Sequence, residues 1–110
     1  MAKATSKLNR KIWTWVQGSW RKGSPPVLSP NMQAMWLSSV VFDGARSLAG
    51  HMADLDLHCA RVNGSALALG MEPTHSIDEI ECLSREGVMH FDEDAELYIC
   101  PMYYAEDGFI

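Results

Sequence analysis

The stretch from Leu55 to Val88 sets the strongest limit on what this chain can fold into, because it encodes two helices back to back with their ends marked. Leu55, Cys59, Val62, Ala66 and Leu69 recur at intervals of four, three, four and three, the spacing that lines one face of an α-helix. Gly70 stands where a helix C-terminus favours glycine, and Pro73 follows just beyond it. Ser76-Ile77-Asp78-Glu79 then forms a serine-x-x-glutamate capping box and puts two acids in the positively polarised first turn of a second helix. Ile77, Ile80, Leu83 and Val88 are expected to supply its buried side. Two apolar stripes in succession require a second layer to cover them.

The flanking segments supply that layer. Ile12-Trp13-Thr14-Trp15-Val16 has the β-branched and aromatic content of a strand, which Gly18-Ser19 ends in a turn. Pro25 and Pro26 fix φ and remove two donors, so residues 21 to 31 read as a loop. Met32 to Ser39 fits a short helix or a loop. A second strand is expected from Val40 to about Leu48; Gly44 inside it marks a place where something approaches the backbone closely. After Asp92-Glu93-Asp94, Leu97 to Tyr104 reads as a closing strand. Tyr98, Cys100, Met102 and Tyr104 share one of its faces, and Leu97, Ile99, Pro101 and Tyr103 the other. Pro101 marks an edge or a bulge. The order predicts an α+β fold, a small antiparallel sheet with two helices packed on one face. With 110 residues, 47% of them apolar, the chain has one core, spanning residues 11 to 110 behind a flexible basic arm at 1 to 10.

Composition excludes several classes of function. A net charge of −5 is the opposite of what displaces counterions from nucleic acid. No segment has the apolar length of a membrane span or a signal-peptide core. Cys59, Cys82 and Cys100 are odd in number and lack C-x-x-C spacing, which argues against a disulfide framework or a zinc site and for a reduced, cytoplasmic protein. Cys59 belongs to the apolar stripe and is expected to be a packed thiol. His51, His58, His75 and His90 are not at i, i+4 spacing with one another, so no metal site is expected. Asn63-Gly64-Ser65 matches a glycosylation sequon only by chance.

Two features carry chemistry. Arg61 lies in the first helix beside buried positions and is followed by the small residues Gly64, Ser65 and Ala66, which let another backbone or a ligand come near. Arginine grips phosphate through a bidentate fork, so an anion site is one reading; composition alone favours an exposed or salt-bridged arginine. Phe42-Asp43-Gly44-Ala45-Arg46 sets charges around a glycine in an apolar strand, which an ordinary hairpin strand explains nearly as well.

Val40-Val41-Phe42-Asp43-Gly44-Ala45-Arg46 resembles the S-V-F-E/D-G-x-R run of branched-chain and D-amino-acid aminotransferases. His58-Cys59-Ala60-Arg61-Val62-Asn63-Gly64-Ser65-Ala66 is similar to the H-x-x-R-L-x-x-S-A helix of that family, with Val62 in place of leucine. Tyr98-Ile99-Cys100-Pro101 resembles its Y-I-R-P strand, and Trp15-x-x-Gly18 its opening strand. Order and spacing agree over roughly residues 11 to 108. The chain is thus identified as resembling the small N-terminal domain of a fold-type IV, pyridoxal-phosphate-dependent aminotransferase, with the F-D-G-x-R strand leaning toward the branched-chain group. Aminodeoxychorismate lyase shares the fold.

The resemblance implies that Arg61 binds the phosphate of pyridoxal 5′-phosphate. It further implies that Phe42, Arg46, Tyr98 and the position of Cys100 face the substrates, a branched-chain or related amino acid and a 2-oxo acid. Cys100 stands where the family has arginine and Leu37 where it often has tyrosine, so a bidentate carboxylate partner is missing. Transamination needs a lysine to hold the cofactor covalently, and the last lysine here is Lys22, ahead of every matched motif except the opening strand. No catalytic residue is therefore expected in this chain. It is expected to be a fragment or truncated product, inactive alone, whose C-terminal lysine-bearing domain completes a homodimeric enzyme. The alternative is a non-catalytic dimerisation or interaction module.

Overall fold

The computed structural model describes residues 11–107; the expected basic arm at 1 to 10 lies outside the described residues. Strand β1 (Trp13–Val16) is followed by β2 (Ser19–Lys22), and the two form an antiparallel hairpin with Trp15 opposite Trp20. Gln17 and Gly18 both have positive φ, as a two-residue hairpin turn requires if its twist is to match the strands. The expected loop therefore begins later than residue 21. Ser-Trp-Arg-Lys has no apolar alternation, so only its partner strand identifies β2.

Helix α1 (Gln33–Leu37) is one short turn, tied down where Gln33 and Ala34 donate their backbone N–H to the carbonyls of Glu106 and Ala105. The expected strand from Val40 to Leu48 is two strands, β3 (Val40–Phe42) and β4 (Ala45–Leu48). A two-residue turn of positive φ at Ala49 and Gly50 joins β4 to the short β5 (His51–Met52). The closing strand is likewise split into β6 (Glu96–Ile99) and β7 (Met102–Tyr104). β3 pairs with β7 and β4 with β6, all antiparallel. Phe42 pairs with Met102 and Ala45 with Ile99, so one register runs across both breaks and sets Asp43-Gly44 opposite Cys100-Pro101. Pro101 has no N–H to give to the ladder, and its carbonyl instead accepts from the Asp43 N–H at 3.1 Å.

Helix α2 (Leu55–Ala68) ends as its sequence predicts. Gly70 has φ +84°, its N–H bonds the Leu67 carbonyl, and the Met71 N–H bonds that of Ala66, a Schellman closure. Helix α3 (Ile77–Val88) starts on a complete capping box: Glu79 N–H donates to Ser76 Oγ at 3.1 Å, and the Glu79 carboxylate accepts from Ser76 N–H. Helix α2 packs on β3 and β7, and α3 packs against α2 and the hairpin strand β1. Leu55, Cys59 and Val62 of α2, Ile80 of α3 and Ala45 of β4 form the core, with Val41, Met52, Ile99 and Tyr103 packed around it. The packed-thiol reading of Cys59 holds; burial pushes its thiol up to about 11. Asn63 is engaged at both ends, donating to the His75 carbonyl and accepting from the Tyr103 hydroxyl, each at 2.9 Å.

The buried side of α3 differs from expectation. Ile77 is 39% exposed, while Ser84 and Gly87 are buried. Trp20 accounts for the burial of Gly87, because the hairpin lays its indole over that residue, and a methyl group there would collide with the ring. Gly87→Ala is expected to cost about 1–3 kcal/mol as the indole is driven off. Thermal unfolding followed by tryptophan fluorescence would register it, and an unchanged midpoint would show that the hairpin does not press on α3.

Candidate functional site

The break between β3 and β4 turns the carboxylate of Asp43 inward. Its side chain is 5% exposed, and an isolated charge at that depth is very costly. Two consecutive turns of α2 supply the partners, since residues three apart on a helix share a face. Arg61 donates Nε–H to Oδ2 at 2.9 Å and Nη2–H to Oδ1 at 3.2 Å. His58 Nδ1 lies 2.6 Å from Oδ1. An ionised carboxylate can only accept, which puts the imidazole proton on Nδ1. The Gly44 N–H adds a fourth donor at 3.0 Å.

Burial pushes the Asp43 carboxyl up, but the hydrogen bonds from His58 and Arg61, the Arg61 charge and the Gly44 N–H outweigh it, so the group titrates below its ordinary 3.8. A carboxyl with a lowered folded value stabilises the fold above its ordinary value and loses that contribution as pH falls through the lowered one. Wild type is therefore expected to lose stability below about pH 4 more steeply than Asp43→Asn, with the two curves converging at the acid end. Urea unfolding at stepped pH would measure this; parallel curves would contradict the pairing.

The Arg61 side chain is 69% exposed. Asp43 holds the edge formed by Nε and Nη2. On the sheet surface away from the helices lie Phe42, 58% exposed, and Tyr98, 60% exposed, with Arg46 directly opposite Tyr98 across the ladder. Cys100 is exposed on the same face. Burial raises its thiol pKa while a hydrogen bond with Tyr98 lowers it. The expected close approach at Gly44 is the Tyr98 ring: an added Cβ would meet its hydroxyl at 2.3 Å. An open cavity of about 990 Å³ lies between the N-terminal hairpin, α3 and the β6–β7 segment, with Trp13, Trp20, Phe91, Tyr98, Cys100 and Met102 on its wall. Phe42, Arg46 and Arg61 do not line it.

Phe42, Arg46, Tyr98 and Cys100 thus share the outer face of the sheet, whereas Arg61 projects from α2 and bonds the inward-turned Asp43, apart from those four. Sequence reading names Asp43 and His58 within their motifs but gives neither a role in the site. The available signal was an acid in an apolar strand together with a histidine and an arginine three apart on a helix. Among the described residues no group of His, Cys, Asp and Glu could hold a metal ion, and no helix is long and apolar enough to cross a membrane.

No family model matches the sequence, and no curated protein matches it. Solved structures do. An aminotransferase from Brucella abortus bound to the cofactor pyridoxal phosphate is 52% identical with a TM-score of 0.88, over 91% of this chain and 36% of that one. A branched-chain aminotransferase from the thermophilic archaeon Thermoproteus uzoniensis, with norvaline, is 21% identical with a TM-score of 0.77, over 88% of this chain and 34% of that one. The chain spans about a third of the length of the structures it matches.

Proposed function

We propose that the chain is the small N-terminal domain of a fold-type IV pyridoxal-phosphate aminotransferase, a reading supported by its 52% identity to an aminotransferase structure, and that it supplies the phosphate-binding arginine and one wall of a transaminase active site. The observation that carries this is the state of Arg61: anchored through Nε and Nη2 by a buried carboxylate while its side chain as a whole stays largely exposed. A guanidinium in that state presents donors to an anion without first having to find its orientation. Arg61 therefore fits the phosphate of the cofactor, and Phe42, Arg46, Tyr98 and Cys100 fit the substrate side. When bound, the cofactor supplies an electron sink for chemistry at the amino acid's α-carbon. Arg61 anchors its anionic end, Arg46 meets a substrate carboxylate, and Phe42 and Tyr98 exclude water around an apolar side chain.

Substrates of the branched-chain type, with a 2-oxo acid as acceptor, belong to this proposal. The lysine-bearing domain, a homodimeric assembly and a cytoplasmic location belong to it as well. The exposed apolar face, on which Leu48 and Met102 accompany Phe42 and Tyr98, supports a covering layer, and the free thiols support a reducing compartment. Residues 11 to 110 are the domain in this reading.

Competition binding tests the proposal. Pyridoxal phosphate and inorganic phosphate are expected to displace each other from the 110-residue chain, while pyridoxal, which lacks the phosphate, binds at least tenfold more weakly. Borohydride treatment is expected to trap no covalent adduct at the site, and no transamination is expected from these residues alone. Equal binding of pyridoxal and pyridoxal phosphate would remove the case for Arg61.

A further inference from the structure

We propose that Asp43 is the positioning residue for this anion site, a buried carboxylate that aims Arg61 in addition to what its ion pair contributes to the fold. The proposal rests on the reading that Arg61 receives a phosphate. An arginine as exposed as this one ordinarily samples many rotamers, and surface ion pairs seldom hold one of them. Asp43 differs from a surface partner in being fixed itself. Its side chain is 5% exposed, and its oxygens take four hydrogen bonds from three residues, two of them outside Arg61. His58 and the Gly44 N–H lock the carboxylate, and the locked carboxylate takes Nε and Nη2 of Arg61 along one edge. Only the opposite edge is left to a ligand.

A stabilising role alone accounts poorly for this arrangement. Burying a carboxylate gains little over a well-packed apolar residue, and here the partner cation is left mostly in water. The carboxylate also has two opposed effects on an incoming anion. Its charge offsets that of the guanidinium and repels phosphate, while its hydrogen bonds remove the ordering cost that a free arginine bears on binding. If charge dominated, neutralising Asp43 would tighten phosphate binding. The four-donor cage points to orientation as the dominant effect, so neutralisation should weaken binding.

The test uses the whole 110-residue chain with inorganic phosphate as the probe, and nuclear magnetic resonance of the Arg61 side chain, whose Nε–H signal is assigned by its loss in Arg61→Gln. In wild type, phosphate is expected to shift the Nη signals and leave the Nε–H signal in place. Asp43→Asn is expected to bind phosphate about tenfold more weakly and to broaden the Nε–H signal while still melting cooperatively; Asp43→Glu should recover part of the affinity. Binding by Asp43→Asn that equals or exceeds wild type would overturn the proposal. Loss of the wild-type Nε–H signal on adding phosphate would also overturn it, and that arm decides the matter if Asp43→Asn does not fold. Phosphate binding retained by Arg61→Gln would remove the underlying reading of Arg61 itself. Binding lost in Arg61→Gln but kept in Asp43→Asn would remove only the role given to Asp43.

Discussion

Replacing Val62 with aspartate is expected to leave the chain unfolded at room temperature, with far-ultraviolet circular dichroism showing no cooperative melting transition. Val62 is fully buried, between Leu55, Cys59 and Ala66 of its own helix and the residues of α3 and the sheet that complete the core. A carboxylate there has no donor within the core to take its charge. It either ionises without a partner or stays protonated with unmet hydrogen bonds, and each outcome costs several kcal/mol. A domain of this size has only about 5–15 kcal/mol to lose. Val62→Ile, by contrast, tests for spare volume and is expected to cost about 1–3 kcal/mol through overpacking. A cooperative transition within a few degrees of wild type in the aspartate variant would place position 62 outside the core and undo the packing of α2 on the sheet.

The second large effect is on binding. Arg61→Gln is expected to lower affinity for pyridoxal phosphate by about thirtyfold, which corresponds to roughly 2 kcal/mol, in the range for hydrogen bonds to a charged group. Glutamine keeps an N–H that can reach Asp43 but presents no cation to the phosphate, so the loss should fall on binding more than on folding. Asp43 would still have His58 and the Gly44 N–H, and the stability change is expected to stay near 1 kcal/mol. Arg61→Lys should fall in between, since an ammonium restores the charge without the planar fork. Fluorescence titration with pyridoxal phosphate, alongside thermal melts of the same samples, separates the two effects. If all three proteins bind alike, the phosphate contacts lie elsewhere.

Much of this molecule was legible before any coordinates. Both long helices could be read because their signals are local: an apolar period of 3.6, a glycine at one terminus and a capping box at the start of the next. The α+β class followed, and so did the packed thiol at Cys59 and the crowding at Gly44. The resemblance supplied Arg61 and the outer face of the sheet. β2 escapes sequence reading because Ser19-Trp20-Arg21-Lys22, with one apolar residue among four, carries no period of its own. The expected strand through Asp43 became two because the interruption is imposed from the facing strand, where Pro101 has no donor to offer.

The sequence alone determined where α2 stops and α3 starts and most of the buried side of α2, since caps and periodicity act between residues at most four apart. It also determined that an arginine stands on the first of them. What that arginine does was decided by tertiary structure. Asp43 lies 15 and 18 positions from His58 and Arg61, and only the register of β3 and β4 under α2 brings the three together. A buried charge must find its donors wherever the packing places them, and no local pattern encodes a meeting set by the whole sheet.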